Sequence, residues 1–160
     1  MCRRRQRGSA MVEAALMMPW LAFLFVGVLD FGFYSVAAIC TQNAARAAAI
    51  QTANPNLQVN ALACQAALGE LKWLPNMTGV TAPCPTSPSG ITATQPVAVS
   101  VTTLTAGTTP ACADCGDASA HSPSSAQVTV TYQTVPLVPI PGILMGQMRL
   151  TRIAEMRIIQ

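Results

Sequence analysis

The sequence predicts an α+β protein with a long N-terminal transmembrane helix, a short second helix and a small antiparallel sheet. Three features support this fold class. An apolar run at residues 14–29 follows a basic N-terminus, an amphipathic helical pattern runs from Leu57 towards Pro75, and three later segments alternate apolar with polar side chains. A chain of 160 residues supplies one ordinary domain and little more.

The composition argues against several classes of protein. Hydrophobic residues make up 51% of the chain and charged residues only 9%, against roughly 25% in a typical soluble protein. So few charges disfavour a free cytosolic enzyme. The net charge is only +3, and four of the nine basic residues lie in the first seven positions, as Arg3, Arg4, Arg5 and Arg7. We therefore expect no nucleic-acid partner, and we interpret the basic excess as a feature of one terminus rather than of a surface.

The N-terminal segment is long enough to cross a membrane. Between residues 9 and 36 only Glu13 and Asp30 are charged, and a spanning helix needs about 20 mostly apolar residues. Arginines precede the apolar run and none follows it closely, which predicts a cytoplasmic N-terminus. The rest of the chain would then lie outside the inner membrane.

A secretory signal peptide is the main alternative for this segment. The basic start would be its n-region, and Ser35-Val36-Ala37 could serve as a cleavage site. Two observations count against it: the apolar stretch exceeds the ~7–15 residues of a signal-peptide core, and Glu13 lies inside it, where an unpaired acid is costly. A lipoprotein site at Cys40 is disfavoured by the bulky Ile39 before it.

Several short elements occur in a recognisable order. Their arrangement after the basic leader resembles the prepilin motif, in which a membrane peptidase cuts after a glycine, and is more closely similar to the N-terminus of TadE-like pseudopilins of tight-adherence pilus systems. The segment from residue 128 to 146 is similar to the closing part of that family, whereas residues 52–125 match nothing familiar. The N-terminal elements are Arg7-Gly8, Glu13, Pro19, Asp30-Phe31-Gly32 and Asn43-Ala44-Ala45-Arg46.

The resemblance implies a division of the chain and a function. Residues 1–8 would be a basic leader removed by a prepilin peptidase, so that Ser9 follows the cleaved Gly8. Residues 9–53 would form the transmembrane and extended helix, and residues 54–160 a periplasmic α+β domain with a middle rich in Pro, Thr and Ser. The protein would be a pilin-like minor pilin or pseudopilin that works with other pilins and the inner-membrane assembly platform, and that could enter an extracellular pilus.

Physical chemistry supports a role for Glu13 in assembly. Cleavage after Gly8 would leave an ammonium group on Ser9 at the membrane surface, and a buried ammonium is expensive without a partner. Glu13 lies close enough along a helix to pair with it, in the same chain or in a neighbour, and such pairs between subunits would fix their axial register. Alternatively, Glu13 extends to water at the cytoplasmic interface.

Two further residues of the helix have open interpretations. Pro19 lacks an N–H group and removes the hydrogen bond to the carbonyl of Ala15, which tends to kink a helix; the kink either helps the segment leave the bilayer or has no role. Asp30 lies about 30 Å along the helix from Ala10, near the outer interface. We expect it to be solvated there, with a partner in another subunit as the alternative.

The sequence after residue 53 predicts a second helix. Asn54 would be its N-cap and Pro55 its first helical residue, and Pro75 would end it. Its apolar residues recur at spacings of three and four, as expected for a helix that packs on its own domain. They are Leu57, Ala61, Cys64, Leu68 and Leu71.

Three segments have the alternation of strands. Val97, Val99 and Val101 alternate with small or polar residues in the first, and residues 127–134 form the second. Residues 147–159 fit a third strand, although Arg152 and Ile153 break the pattern and leave a helix open. Between residues 75 and 125 the chain is otherwise rich in loops. We expect at least three antiparallel strands in meander order, packed on the helices.

The six cysteines predict disulfides in the outer domain. Cys2 lies in the leader, whereas the others would face the periplasm, where disulfides persist. The four cysteines of residues 54–160 allow three pairings, and we favour the two local ones. Cys40 is left over, either free or as a cross-link between subunits. The favoured pairs are Cys64–Cys84 and Cys112–Cys115.

An apolar loop between the second and third strands is a candidate interface. Residues 135–145 contain no charge, and prolines and a glycine keep them out of regular structure. Soluble monomers seldom expose such a patch. Because no Trp, Tyr, Lys or Arg flanks the loop closely as a membrane anchor, we expect a protein cover that contacts Leu137 and Ile140.

The sequence contains no recognisable catalytic set. Cys112 and Cys115 form the single CxxC motif and His121 is the only histidine, so a four-ligand zinc site has little support. The glycines are scattered and form no phosphate loop. We expect neither an enzyme nor a cofactor. The alternative function is a signal-anchored or signal-cleaved periplasmic binding module that uses the proline-rich loop, whose mature N-terminus would be Ala38 if the signal is removed.

Overall fold

The computed structural model confirms the α+β class. It describes residues 6–54, 59–104, 124–135 and 147–158, and of residues 6–9 the backbone only. The described part has a long helix, a short helix and a three-stranded antiparallel sheet. The elements are α1 (Gln6–Thr52), α2 (Asn60–Leu71), a 3₁₀ turn (Pro88–Gly90), β1 (Val97–Leu104), β2 (Ser125–Gln133) and β3 (Arg149–Arg157).

The chain divides into two compact units within α1. Among the described residues, the first unit is α1 as far as Ser35, and the second begins at Val36 and holds the remainder of α1, α2 and the sheet. We call the second unit the outer domain. The predicted boundaries after residues 8 and 53 stay predictions, although α1 ends at Thr52, close to the second of them.

The outer-domain part of α1 packs through alanines. Small side chains allow other elements to approach the helix backbone closely. Thr41 and Thr52 are fully buried among them, and each hydroxyl donates to the carbonyl four residues earlier, at 2.7 and 3.1 Å. Each buried hydroxyl is thus satisfied within the helix. The buried alanines are Ala37, Ala44, Ala45, Ala48 and Ala49.

The second helix starts later than the sequence predicts. α2 begins at Asn60, with Val59 in the N-cap position, so the predicted start with Asn54 as N-cap is wrong for this helix; Pro55 lies outside the described residues. The carbonyl of Val59 accepts two helical N–H groups at 3.0 and 3.2 Å. The side chain of Asn60 is meanwhile used in a contact with the sheet, where its Oδ1 accepts the N–H of Val101 at 3.0 Å.

The buried face and the end of α2 also differ from the predicted ones. Ala61, which we placed in the apolar stripe, is exposed. The helix ends at Leu71 rather than at Pro75, because the chain enters a tighter turn in which the N–H of Leu74 donates to Leu71 at 2.9 Å. The buried residues of α2 are Ala63, Cys64, Ala67 and Leu71.

The sheet has the predicted meander order β1-β2-β3. Val99 pairs with Val130 across β1 and β2, and Val130 pairs with Arg152 across β2 and β3. The third segment is a strand, so the helical alternative is excluded. Alternation along β3 places Arg152 on the same side as Leu150 and Ala154, and Ile153 on the other, which explains why the sequence pattern looked broken.

The core of the outer domain is small and centred on Tyr132. This side chain is fully buried with the valines of β1 and β2 and with Leu71. Its hydroxyl donates to Oδ1 of Asn76 at 2.6 Å, and Nδ2 of Asn76 donates to the carbonyl of Gln133 at 2.9 Å. The segment after α2 is thereby tied to the end of β2. Burial, and secondarily the nearby charge of Cys40, raise the pKa of Tyr132 to about 12.

Replacing the Tyr132 hydroxyl tests this link. Tyr132→Phe removes one hydrogen bond and leaves Oδ1 of Asn76 unpaired, so we expect the full-length protein in detergent to lose about 1–3 kcal/mol of unfolding free energy. Because the pKa is raised on folding, the wild type should also lose stability as the pH rises from 10 towards 12, where the unfolded state ionises first.

Chemical denaturation at several pH values measures both effects. Tyr132→Phe should lack the alkaline loss attributable to this phenol, whereas the matched control Tyr34→Phe should keep it. Identical alkaline profiles for Tyr132→Phe and the wild type would contradict the assignment.

Candidate functional site

The residues of the predicted cleavage site lie in the first turns of α1. The helix begins at Gln6 and passes through Gly8 and Ser9 without interruption. Ser9 and Glu13 are four residues apart, so they lie one turn apart on the same helix face. The side chain of Glu13 is exposed. The pairing of Glu13 with an ammonium group on Ser9 stays a prediction.

The first unit exposes large apolar side chains along most of the helix. α1 between Ala10 and Thr52 is long and apolar enough to cross a membrane, with a mean hydropathy of 2.0 over its most apolar stretch. A helix that is apolar all round is stable only where lipid or protein replaces water. Its large exposed residues are Met11, Val12, Leu16, Met17, Met18, Trp20, Leu21, Phe23, Leu24, Phe25, Val28, Leu29 and Phe31.

One face of this helix carries a groove at Gly27. The groove has a volume of about 380 Å³. A Cβ atom at Gly27 would meet nothing within 4 Å, so the backbone there is open to a neighbour. Large side chains on both sides give the groove apolar walls, and a glycine between such walls lets a second helix approach closely. The other lining residues are Trp20, Phe23, Leu24, Val28 and Phe31.

Pro19 lies inside α1 and does not end it. The helix continues on both sides, so the carbonyl of Ala15 is the position that lacks its usual donor. Membrane helices tolerate such a proline when neighbours or local adjustments satisfy the freed carbonyl. Whether Pro19 bends the segment as it leaves the bilayer stays a prediction.

Asp30 is buried, so the expectation that it is simply solvated is wrong. Its side chain is only 3% exposed, and its Oδ1 has no hydrogen-bond partner among the residues that the structure describes. A buried carboxylate oxygen without a partner is costly. Asp30 is covered by its own chain, and the alternative, a partner in another subunit, stays a prediction.

The cysteines of the outer domain are partly placed. A disulfide joins Cys64 of α2 to Cys84, with 5.7 Å between the two Cα atoms and a sequence separation of 20 residues. Cys40 is a half-buried free thiol. Cys112 and Cys115 lie outside the described residues, as do His121 and the candidate interface residues Leu137 and Ile140. Within the described ranges, no group of three or more His, Cys, Asp or Glu side chains could hold a metal ion.

The sequence analysis did not recognise that four basic side chains lie on or beside one edge strand. Arg149, Arg152 and Arg157 lie on β3, and Arg46 of α1 lines a cleft beside that strand. The excess of basic over acidic residues still belongs to the N-terminus, because the rest of the chain has five basic and six acidic side chains. The spacing of three arginines within the last segment was the available signal, but net charge concealed it, because acids elsewhere in the chain cancel these residues in the sum.

Comparison with known proteins identifies the helical segment. The family model described as TadE-like protein matches residues 8–49, from Gly8 into the alanine-rich part of α1. This match confirms the resemblance that the N-terminal motifs carry. No curated protein and no solved structure matches the chain.

Removal of the disulfide tests its place in the outer domain. Closure of a loop of this length by a cross-link contributes about 3 kcal/mol, so Cys64→Ser should lower the thermal unfolding temperature of the oxidised full-length protein. Cys84→Ser should have the same effect. The double variant should lower the unfolding temperature no further than either single variant, because one bond is lost in each case. Cys40→Ser is the matched control and should leave the unfolding temperature within error.

Thiol alkylation of periplasmic material, with and without reductant, supplies the direct measurement. Cys64 and Cys84 should be labelled only after reduction. Labelling of both without reductant would show that the native domain lacks this bond.

Proposed function

We propose that this protein is a minor pilin or pseudopilin of a tight-adherence pilus system. The observation that carries the proposal is the coincidence of two features: the TadE-like family match covers residues 8–49, and the same residues form one uninterrupted helix. Its work is structural. The apolar part of α1 anchors the chain in the inner membrane and packs with other pilins, and the outer domain meets further pilus components.

In the proposed maturation pathway, the N-terminus first lies in the cytoplasm. The arginines of the leader favour this orientation, and the outer domain would then fold in the periplasm. A prepilin peptidase cuts between Gly8 and Ser9, and the mature chain then binds the inner-membrane assembly platform. The structure supports this order in one respect, because the apolar surface that a membrane and neighbouring pilins would cover begins just after the proposed new terminus.

Helix packing in the assembly would use two features of α1. The groove at Gly27 offers a neighbouring helix a close approach between apolar walls. The carboxylate of Glu13 offers a partner to the ammonium of Ser9 in an adjacent subunit. The groove contributes contact area, while the ion pair, in a medium of low dielectric constant, would specify the axial offset between helices.

The alternative, a signal-cleaved binding module, fits the outer domain poorly. Cleavage after Ala37 would cut α1 within that domain. Ala37 is fully buried in the core, and its carbonyl accepts the hydroxyl of the buried Thr41 at 2.7 Å. A mature protein starting at Ala38 would lose this contact and leave the Thr41 hydroxyl without its acceptor. A chain that keeps its helix intact from Ser9 avoids both costs.

Gly8→Ala tests the processing step. The substitution alters the residue at the proposed scissile bond, so unprocessed precursor should accumulate when the variant is expressed with its prepilin peptidase. Gly27→Ala is a matched control, because the added Cβ meets nothing within 4 Å and the residue lies far from the bond. Mass spectrometry of the N-terminus is the measurement, with Ser9 expected as the first residue of the wild type.

Two results would contradict the proposal: normal processing of Gly8→Ala, or a wild-type chain that starts at Ala38. The second would favour signal peptidase and the binding-module alternative.

Glu13→Ala tests the assembly step separately. The variant should insert and be processed, but assembly should fall, because an ammonium left buried without its partner costs about 3–5 kcal/mol. The measurement is the amount of pili sheared from cells, by immunoblot. Glu13→Asp should restore assembly in part, and Glu70→Ala, on the exposed surface of α2, is the matched control. Wild-type piliation in Glu13→Ala would show that Glu13 has no role in register.

A further inference from the structure

The two edge strands of the sheet differ in whether other parts of the chain hydrogen-bond to them. At the β1 edge, the N–H of Val99 donates to the carbonyl of Pro85 at 2.8 Å, and the N–H of Val101 donates to Oδ1 of Asn60 at 3.0 Å. Other parts of the chain therefore cover this edge. β3 is the other outermost strand, and all nine of its residues are in register with β2 on one side only. Within the described residues, nothing pairs with its second side.

A cleft runs beside the uncovered strand. Its volume is about 360 Å³, and it lies between the outer-domain part of α1 and the second half of β3. The walls are mainly apolar: Ala49 and Ile50 come from the helix, and Ile153, 55% exposed, comes from the strand. Backbone groups on an open edge and apolar pockets for alternate side chains are the two features that strand addition uses.

The charges at this edge are one-sided. Outside the first seven residues the chain has five basic side chains, and four of them lie here: Arg46 in the cleft and the three arginines of β3. The fifth, Lys72, lies over the ring of Trp73 at 5.1 Å. The only acid of β3 is Glu155, whose carboxylate accepts the hydroxyl of Ser125. None of the four arginines forms a salt bridge within the described part of the chain.

We propose that the free edge of β3 and the cleft beside it bind an extended acidic segment of another protein by strand addition. Arg149 and Arg157 lie on the same side of β3 as Ile153, and Arg152 lies on the other side, so the edge carries basic residues on both faces of an otherwise nearly neutral domain. An acidic strand is therefore the complementary occupant. Its backbone would continue the sheet, and its apolar side chains would enter the cleft.

A second copy of this chain is a poor occupant of the same edge. Antiparallel pairing of β3 with itself about Ile153 would place Arg149 opposite Arg157 at both ends, and parallel pairing would set each arginine beside its own copy. Like charges directly opposite each other destabilise a strand pair. In these two registers the arginines deter self-pairing, as charged edge residues do, whereas an acidic strand meets opposite charge in every register.

Fluorescence anisotropy with a defined peptide tests the proposal. The probe is a labelled peptide of alternating glutamate and valine, as long as β3, added to the full-length protein in detergent. A lysine–valine peptide controls for charge. A glutamate–valine peptide with N-methyl groups on alternate residues controls for strand pairing, because it lacks donors along one edge. We expect the acidic peptide to bind, the N-methylated one to bind at least about tenfold more weakly, and the basic one not to bind.

Variants of the protein locate the binding surface. Arg46→Ala and Arg152→Ala should each weaken binding of the acidic peptide severalfold, whereas Lys72→Ala, which removes the same charge elsewhere, should not. Hydrogen exchange on the wild type gives a measurement that needs no variant: the peptide should slow the exchange of β3 amides and leave α2 unchanged.

Three results would overturn the proposal. The first is that the acidic peptide does not bind. The second is that the N-methylated peptide binds equally well, which would mean electrostatic attraction without strand pairing. The third is that binding to phosphatidylglycerol vesicles, rather than binding of the peptide, is lost in the Arg46 and Arg152 variants, which would assign the arginines to lipid binding. None of these results bears on cleavage after Gly8, so the proposed function is tested separately by the processing experiment.

Discussion

The outer domain depends on the small volume of the alanines along α1. The alanines belong to the same buried cluster as the valines of the sheet. Alanine allows this packing and costs no side-chain entropy on burial. Thr41 and Thr52 preserve it, because each hydroxyl turns back to its own helix instead of requiring a polar partner in the core. A larger residue at Ala44 or Ala48, both fully buried, would have to displace its neighbours in this core.

In the first unit of the chain, α1 has large exposed side chains instead of small buried ones. The surface there suits lipid or other helices rather than water. The exceptions lie at separate points of the segment: Glu13 near its start, Gly27 in its groove and the buried Asp30 near its end. A uniform apolar helix would slide and rotate freely among its neighbours, whereas localised polar and small residues provide the features by which one orientation differs from another.

The elements predicted correctly from the sequence were those with strong periodicity. The apolar run gave α1, and the Val/Thr alternation gave β1 and β2. The start of α2 was misjudged because Asn54 and Pro55 form a good capping sequence locally, while the contact of Asn60 with β1 is a tertiary interaction without a local signal. Asp30 was misjudged for a related reason, since its distance along the helix says nothing about what covers it. The three arginines of β3 are visible in the sequence, but the position of Arg46 in the cleft beside them depends on tertiary structure, which no linear pattern reveals.

The bond between Cys64 and Cys84 has a consequence for the timing of biogenesis. On the proposed topology, both thiols are made in a reducing compartment and meet an oxidising one only after translocation. The link between α2 and the segment leading to β1 therefore closes on the far side of the membrane. While it crosses, the chain is more easily unfolded than the finished domain, and oxidation afterwards makes return in the folded form unfavourable. On that topology the disulfide would oppose return of the folded domain across the membrane, in addition to holding two segments together.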